Sequence, residues 1–267
     1  MILVLLVYLF VGAIAGVLAG LLGVGGGLVI VPILAYTFTW QAFPYEHIMH
    51  LALGTSLASI IFTSVSSFTA HNRVGAVRWD IFWQIVLGIL LGTFLGSCVA
   101  SKMSTAFLSI FFVVFLYYVA FQMILDRKPN PSRQLPGRWG MFGVGNIIGA
   151  VSSFVGIGGG SLSVPFMIWC NIPAHHAIGT SAAIGLPIAI SGAIGYVYSG
   201  WNASNVPDWS LGFVYMPAFA GIVCASVLTA PIGAKIAHRL PVKRLKQVFA
   251  VILTIMGTRV LFGLIWT

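Results

Sequence analysis

The sequence predicts an all-α polytopic membrane protein with inverted structural repeats, about eight spanning helices and two short half-helices that begin at glycine-rich breaks. Three observations predict this fold: the composition, a motif order that occurs twice, and the distribution of positive charge. Of the 267 residues, 59% are hydrophobic and only 6% are charged, and the mean hydropathy is +1.04. So few charges could not solvate the surface of a soluble domain, so most of this surface must face lipid.

Eight apolar segments come close to the ~20 residues that a helix needs to cross a ~30 Å hydrocarbon core. They are Ile2–Leu22, Ile48–Ala70, Ile81–Ser101, Ala106–Leu125, Trp139–Val155, Ala177–Ser199, Leu211–Ala234 and Leu245–Trp266. The first segment lacks the basic n-region of a signal peptide and has a counterpart deep in the chain. We therefore interpret it as a retained helix.

The same motifs occur in the same order in both halves of the chain. "GVGGGLVIVP" (Gly23–Pro32) matches "GIGGGSLSVP" (Gly156–Pro165), and "HLALGTS" (His50–Ser56) matches "HHAIGTS" (His175–Ser181). Each half thus holds a helix, a glycine break, a short helix and three further helices. The predicted division is a first membrane repeat over residues 1–125, a cytoplasmic linker over 126–138 and a second, inverted repeat over 139–267.

The positive charges predict the orientation of these repeats in the cell inner (plasma) membrane. Lys and Arg concentrate in the linker 126–138 and in the loop 235–246, which the positive-inside rule places in the cytoplasm. Counting spans from the linker puts the amino terminus and the Lys102 turn outside and the turn 71–80 inside. Equivalent loops fall on opposite sides, which is the inverted-repeat plan of many secondary transporters. The same pattern accounts for the net charge of +9, so we predict no nucleic-acid partner.

The glycine breaks are predicted to open two short helices near the middle of the bilayer. Leu28–Thr39 and Ser161–Cys170 are too short to span, since ten helical residues cover only ~15 Å. Freed N–H groups at a buried helix amino end can bind an anion, and glycine lets the anion approach. Close helix packing through small residues is the alternative interpretation. The candidate substrate-binding glycines are Gly25, Gly26, Gly27, Gly158, Gly159 and Gly160.

Paired hydroxyls provide the second set of candidates. Thr55 and Ser56 match Thr180 and Ser181, about two turns into a helix in each half. Their hydroxyls could donate to an oxyanion, or could bond to the backbone carbonyl four residues back. Arg259 also lies within an apolar stretch. Its guanidinium could provide a counter-charge for an anion, or its side chain could extend to the membrane interface.

Other chemistry is not predicted. The four acids lie at predicted helix ends or loops, so no carboxylate is available inside the membrane for a cation: Glu46, Asp80, Asp126 and Asp208. His50 and His175 could carry protons or anchor helices at the interface. Ligand spacings for a metal are absent from the sequence, so neither a metal site nor a cofactor is expected.

The two glycine-and-proline stretches, the two "GTS" elements and "GAVRWD" (Gly75–Asp80) resemble the sulfite exporter TauE/SafE family of membrane permeases. The resemblance extends from Ile2 to Trp266. It implies an inner-membrane carrier of about eight helices that moves sulfite, sulfoacetate or other small sulfur-containing or organic anions, frequently as an exporter. It also implies that the glycines and the threonine and serine pairs named above form the binding region.

The sequence therefore leads to one hypothesis and several alternatives. The hypothesis is a secondary transporter, by resemblance an exporter, of a small oxyanion such as sulfite or an organosulfonate. It would work by alternating access around a midplane site formed by the half-helix amino ends. Its partners would be the anion and membrane lipid, with a coupling proton or ion left open. An anion channel and a non-transporting membrane accessory protein are the alternatives; an enzyme is not expected, because no nucleophile beside a base can be identified.

Overall fold

The computed structural model describes residues 2–22, 26–125, 133–237 and 242–265. These residues are almost entirely helical. Their helices are α1 (Ile2–Leu22), α2 (Gly27–Trp40), α3 (Ile48–Arg73), α4 (Trp79–Ala100), α5 (Thr105–Leu125), α6 (Arg138–Val155), α7 (Gly160–Trp169), α8 (Ala174–Gly200), α9 (Met216–Ala237) and α10 (Val242–Ile265). A 3₁₀ turn, Tyr45–His47, precedes α3, and an antiparallel hairpin of β1 (Ser210–Leu211) and β2 (Val214–Tyr215) precedes α9.

Six of the eight predicted spans are long and apolar enough to cross a membrane: α1, α3 with its 3₁₀ turn, α4, α5, α8 and α9. The other two are helices at the predicted positions but are less apolar. Helix α6 has 18 residues and includes Arg138 and Asn146. Helix α10 carries three basic residues in its first turns, so its apolar part is Phe249–Phe262. The two short apolar helices α2 and α7 are also present where they were predicted.

The start of α9 differs from the prediction of a helix over Leu211–Ala234. The hairpin occupies residues 210–215, and α9 begins at Met216. Trp209 and Gly212 have positive φ angles of 66° and 56°, which a right-handed helix cannot contain. The apolar composition of this segment predicted a helix, but the turn at Gly212 reverses the chain against α8, where a Cβ atom would clash with the carbonyl of Val197.

The main helix pairs join residues 1–125 to residues 139–267. Helix α1 packs along α9, α4 along α6, α3 against α8 and α5 against α10. Glycines permit the close approaches: a Cβ atom at Gly12 would clash with the carbonyl of Ile222, and one at Gly92 with that of Asn146. Small residues bring membrane helices close enough for their backbones to touch. The two parts of the chain therefore share a single core.

Helices α3 and α8 are the most buried of the spanning helices, and they cross at the centre of this core. The outward faces of the peripheral helices carry large apolar side chains such as Trp83, Val114 and Phe121, each more than 60% exposed. Apolar exposure on this scale is typical of a surface that contacts lipid. The polar residues of the central helices, including the paired threonines and serines, are thus kept inside the bundle.

Candidate anion site at the glycine breaks

Helices α2 and α7 begin in the same unusual backbone geometry. The residue before α2, Gly26, has φ 77° and ψ −8°, and the residue before α7, Gly159, has φ 74° and ψ −4°. Glycine adopts this left-handed conformation readily, whereas other residues rarely do. Both glycines are buried, so both short helices start inside the protein. The predicted breaks at Gly26 and Gly159 are therefore built in the same way.

The first turn of α7 leaves hydrogen-bond donors available. The N–H groups of Leu162 and Ser163 donate to the carbonyl of Gly159, over 3.1 and 2.9 Å. The N–H groups of Gly160 and Ser161 make no hydrogen bond among the residues that the structure describes. The buried Ser161 hydroxyl has no partner there either. Unpaired donors at a helix amino end form a site suited to an anion.

The two breaks meet inside the bundle. Gly27 lies against Gly156, because a Cβ atom at Gly27 would clash with the Gly156 carbonyl oxygen. The Ser56 hydroxyl donates to the same carbonyl over 2.7 Å. Around Gly156, an added Cβ atom would lie 2.9 Å from Val31 and 3.0 Å from Leu53. The start of α2, at Gly27, and the turn of α3 that holds Ser56 therefore both contact the break that leads to α7.

Thr55 and Thr180 make equivalent bonds in the two halves. The Thr55 hydroxyl accepts a bond of 2.9 Å from the backbone N–H of Tyr215, and the Thr180 hydroxyl accepts one of 2.9 Å from that of Arg78. Tyr215 and Arg78 directly precede α9 and α4. The sequence predicted that these hydroxyls would donate to an oxyanion or to the carbonyl four residues back, whereas each accepts a bond from an N–H group far along the chain. A hydroxyl that accepts one bond keeps its own hydrogen to donate.

Arg78 itself contributes only its backbone here. Its guanidinium donates two bonds to the Asp80 carboxylate, of 2.8 and 2.7 Å, and these bonds raise the pKa of the Arg78 guanidinium. The pair lies at the exposed start of α4. The polar groups at the glycine breaks are therefore neutral N–H and hydroxyl donors, which can hold an anion without a buried counter-charge.

The serines differ between the two halves. Ser181 on α8 is fully buried and accepts a 2.9 Å bond from the Ser163 hydroxyl on α7. Ser161 and Ser163 take the places of Leu28 and Ile30 in the matching stretch of the first half. These two serines were not among the candidates predicted from the sequence. The pattern that could have indicated them is the presence of two hydroxyls in a segment that is otherwise apolar. They make the second break the more polar of the two.

The remaining candidates lie as follows. Gly158 and Gly160 are buried, and the Gly158 carbonyl lies 3.3 Å from a Cβ atom added at Gly185 on α8. Gly25 lies outside the described residues. Arg259 is exposed and lines a separate cavity of about 640 Å³ between α2, α3, α5 and α10. Pro32, in the second turn of α2, lines the same cavity, so the cavity borders the half-helix that starts at the first break.

Metal-binding side chains are not grouped in the part of the chain that the structure describes, where no cluster of three His, Cys, Asp or Glu residues could hold an ion. The N–H groups at the start of α7 are suited to an anion rather than to a cation, because an N–H group presents a hydrogen and no lone pair.

Known proteins share this sequence over nearly its whole length. The sequence profile of the family described as "Sulfite exporter TauE/SafE" matches residues 8–260. A protein of Haemophilus influenzae named "Probable membrane transporter protein" is 37% identical over 255 residues, covering 95% of this chain and 96% of the relative. No solved structure gives a significant match.

Relatives at lower identity also match over nearly their whole length and have similar names. "Probable membrane transporter protein MJ0441" of Methanocaldococcus jannaschii is 26% identical over 251 residues, covering 93% of this chain and 92% of the relative. "Probable membrane transporter protein YunE" of Bacillus subtilis is 26% identical over 273 residues, covering 94% and 95%. The chain belongs to the sulfite exporter TauE/SafE family, whose members are multi-pass membrane transporters rather than enzymes.

Proposed function

We propose that this protein is a secondary transporter that carries a small oxyanion, such as sulfite or an organosulfonate, by alternating access. The observation that carries the proposal is the meeting of the two breaks. Gly27 lies on Gly156, and the N–H groups of Gly160 and Ser161 make no hydrogen bond among the described residues. The anion would bind these donors near the bilayer midplane, together with the neighbouring hydroxyls.

The substrate class follows from the donors and from the family. A cluster of neutral N–H and hydroxyl donors favours an anion with several oxygen atoms over a cation. The family is described by the export of sulfite, and that description suggests the first anions to test. Export is the proposed direction for the same reason. Gly25–Gly27, Gly158–Gly160 and the pairs Thr55–Ser56 and Thr180–Ser181 are the proposed binding region.

The burial of the site agrees with a carrier in an occluded conformation. Thr55, Ser56, Thr180 and Ser181 are all 0% exposed, so the proposed site is closed to both sides in this conformation. A carrier requires such an occluded state between its two open states, whereas a conducting channel requires a continuous water path. Alternating access therefore agrees with the observed burial.

The pattern of helix contacts supports two inverted repeats, residues 1–125 and 139–267. If α1 to α5 correspond to α6 to α10, the pair α1–α9 becomes the pair α6–α4, and α4–α8 becomes α9–α3; all four are observed. The bond from Tyr215 to Thr55 becomes the bond from Arg78 to Thr180. Repeats related by a two-fold axis would produce paired contacts of this kind.

The charge distribution supports an orientation in the inner membrane with the amino terminus outside and the linker 126–138 cytoplasmic. In this orientation Arg259 lies toward the outer end of α10. There its guanidinium would attract the anion at the outer mouth of the path, through the cavity that borders α2. Among the described residues, no acid lies within 4 Å of Arg259, so its charge is available to a substrate.

Thermal unfolding in detergent with a panel of anions tests the proposal. The panel holds sulfite, thiosulfate, sulfoacetate, sulfate, phosphate and acetate, with Na⁺ varied separately. A ligand at 100 times its Kd stabilises the folded protein by ~2.7 kcal/mol, which raises the unfolding temperature measurably. Ser161→Ala should reduce the shift produced by sulfur oxyanions, whereas Thr254→Val, a matched change in α10 outside the breaks, should not. No shift with any anion would contradict the proposal.

A further inference from the structure

Both ring nitrogens of His50 face backbone carbonyl groups. Nδ1 lies 3.0 Å from the carbonyl oxygen of Glu46, and Nε2 lies 3.1 Å from that of Met103. The side chain is buried, with 4% of its surface exposed. Both distances and directions are those of hydrogen bonds in which the ring donates.

A neutral imidazole cannot make both of these bonds. It carries one N–H group, and its second nitrogen offers a lone pair. That lone pair would face the lone pairs of a carbonyl oxygen at about 3 Å, with no hydrogen between them. The imidazolium form has an N–H on each nitrogen and donates to both carbonyls. The surroundings of His50 are therefore complete only when the ring holds an extra proton.

The two carbonyls belong to different parts of the fold. Glu46 is in the 3₁₀ turn before α3, and Met103 is in the turn between α4 and α5. Thr105, the first residue of α5, donates a second bond of 2.7 Å to the Glu46 carbonyl. The Nε2–H group of the protonated His50 ring therefore joins the start of α3 to the α4–α5 turn, and loss of that hydrogen would remove this link.

Three other titratable groups lie around this contact. The His47 ring lies 6.1 Å from the His50 ring, centroid to centroid. The Glu46 carboxylate lies 3.5 Å from Nε2 of His47. The side chain of Lys102, in the α4–α5 turn, is exposed at the protein surface. From the hairpin, the uncharged ring of Phe213 covers His50 at 5.1 Å.

Another histidine provides a contrast on the opposite end of the fold. Nδ1 of His176 lies 3.1 Å from the carbonyl oxygen of Ala76, and this single bond is available to a neutral ring. His176 thus makes a similar link between helices without a requirement for an extra proton. It is the matched control for His50.

We propose that His50 is a proton-binding site that couples a proton to transport of the anion. The proposal rests on the proposed function. Thr55 lies five residues beyond His50 on α3, about 7.5 Å along the helix. With the proton bound, the α4–α5 turn is held to α3 on the proposed outer side. When Nε2 releases its proton to water, the bond to the Met103 carbonyl is lost. Among the described residues, only the Thr105 bond to Glu46 still joins these two turns by hydrogen bonding, and the outer end of the bundle can open toward the anion.

The first experiment measures the protonation of His50 directly. Nitrogen NMR of the full-length protein labelled at its histidine rings reports imidazolium or imidazole for each residue, and His50→Gln assigns the signal. We expect His50 to be an imidazolium at the acid end of the range between about pH 5 and 8 and to lose the proton within it. A ring that stays neutral throughout this range would overturn the proposal, whether or not the protein carries anions.

The second experiment measures coupling in proteoliposomes. Sulfoacetate is the probe, because both of its acid groups are fully ionised near neutral pH and it carries no proton of its own. A sulfoacetate gradient should drive proton movement, read with a trapped pH dye, in the parent protein and in His176→Gln. His50→Gln should lose the proton movement but keep sulfoacetate exchange between the two sides, because exchange requires no net proton transfer. Proton movement that persists in His50→Gln would overturn the proposal.

These outcomes separate the two proposals. Absence of exchange in the parent protein with every anion of the panel, with His50 titrating as expected, would contradict the transport function and leave the proton site in place. Exchange without any proton movement in the parent protein would support the transport function and overturn coupling through His50.

Discussion

The Thr55 hydroxyl accepts a 2.9 Å hydrogen bond from the backbone N–H of Tyr215, the residue directly before α9. The Thr180 hydroxyl does the same for Arg78, directly before α4. In both places a central helix of one half holds the amino end of a helix that follows a turn in the other half. Two hydroxyls proposed to bind the substrate thus also position the helices that would have to move.

Removing one of these hydroxyls should destabilise the protein. Thr55→Val keeps the shape of the side chain but leaves the Tyr215 N–H without its partner, at a cost of about 1–3 kcal/mol. Thr55→Ser keeps the acceptor and should retain most of the stability. The measurement is unfolding in detergent, with Thr39→Val as control, since the exposed Thr39 hydroxyl bonds only within its own helix. Equal stability of the Val and Ser variants at position 55 would contradict this role.

Contact between the two breaks should make Gly27 intolerant of any side chain. In Gly27→Ala the new methyl group would clash with the Gly156 backbone, and overpacking of this kind costs about 1–3 kcal/mol or more. Gly143→Ala in α6 is the control, since no atom lies within 4 Å of a Cβ atom there. That variant should be neutral or stabilised by up to ~1 kcal/mol. Similar unfolding temperatures for the two variants would show that the breaks do not touch.

Alanine variants of two left-handed glycines allow the cost of backbone strain to be measured separately from the cost of crowding. Gly75→Ala places a side chain at φ +70° in open space, so only the conformational cost of about 1–2 kcal/mol applies. Gly26→Ala has a similar φ of +77°, and its Cβ atom would also lie 2.6 Å from the carbonyl oxygen of Ala15. We expect the Gly26 variant to lose more free energy of unfolding than the Gly75 variant. The reverse order would argue against close packing at the first break.

Arg259 should contribute to anion affinity through its charge. Arg259→Gln removes the positive charge that would attract sulfite at the outer mouth of the path, so the Kd for sulfite should rise by roughly tenfold at low ionic strength. Arg259→Lys should lose less, and the defect should diminish as ionic strength increases. Titration of the unfolding temperature with sulfite measures both variants. An unchanged Kd in the Gln variant would place Arg259 outside the substrate path.

Single-cysteine labelling tests the proposed orientation. Ser104, in the α4–α5 turn, and Val74, in the turn before α4, are both exposed. After replacement of Cys98, Cys170 and Cys224, a membrane-impermeant thiol reagent should label Ser104→Cys in intact cells. It should label Val74→Cys only after the membrane is opened. The opposite pattern would invert the orientation and move the His50 contact to the cytoplasmic side.

The sequence predicted features that depend on local composition. The glycines at 26 and 159 marked the breaks because their left-handed backbone excludes most other residues, and apolar runs located the long helices. It did not predict contacts between distant residues, such as Ser56 with Gly156 or His50 with Met103. These depend on how the helices assemble. The positive φ angle of Trp209 could not be predicted from the sequence either, since tryptophan has no preference for that conformation.

The crossed packing of α1 with α9 and of α4 with α6 has a consequence for both assembly and motion. A fragment that ends after α5 would expose the faces that α6 and α9 cover, and a fragment that begins at α6 would expose the faces that α1 and α4 cover, so each half buries these faces only against the other. The same crossing determines what can move as a rigid body during transport. Because α1 is bound to α9 along its length, any moving unit must combine helices from both parts of the sequence.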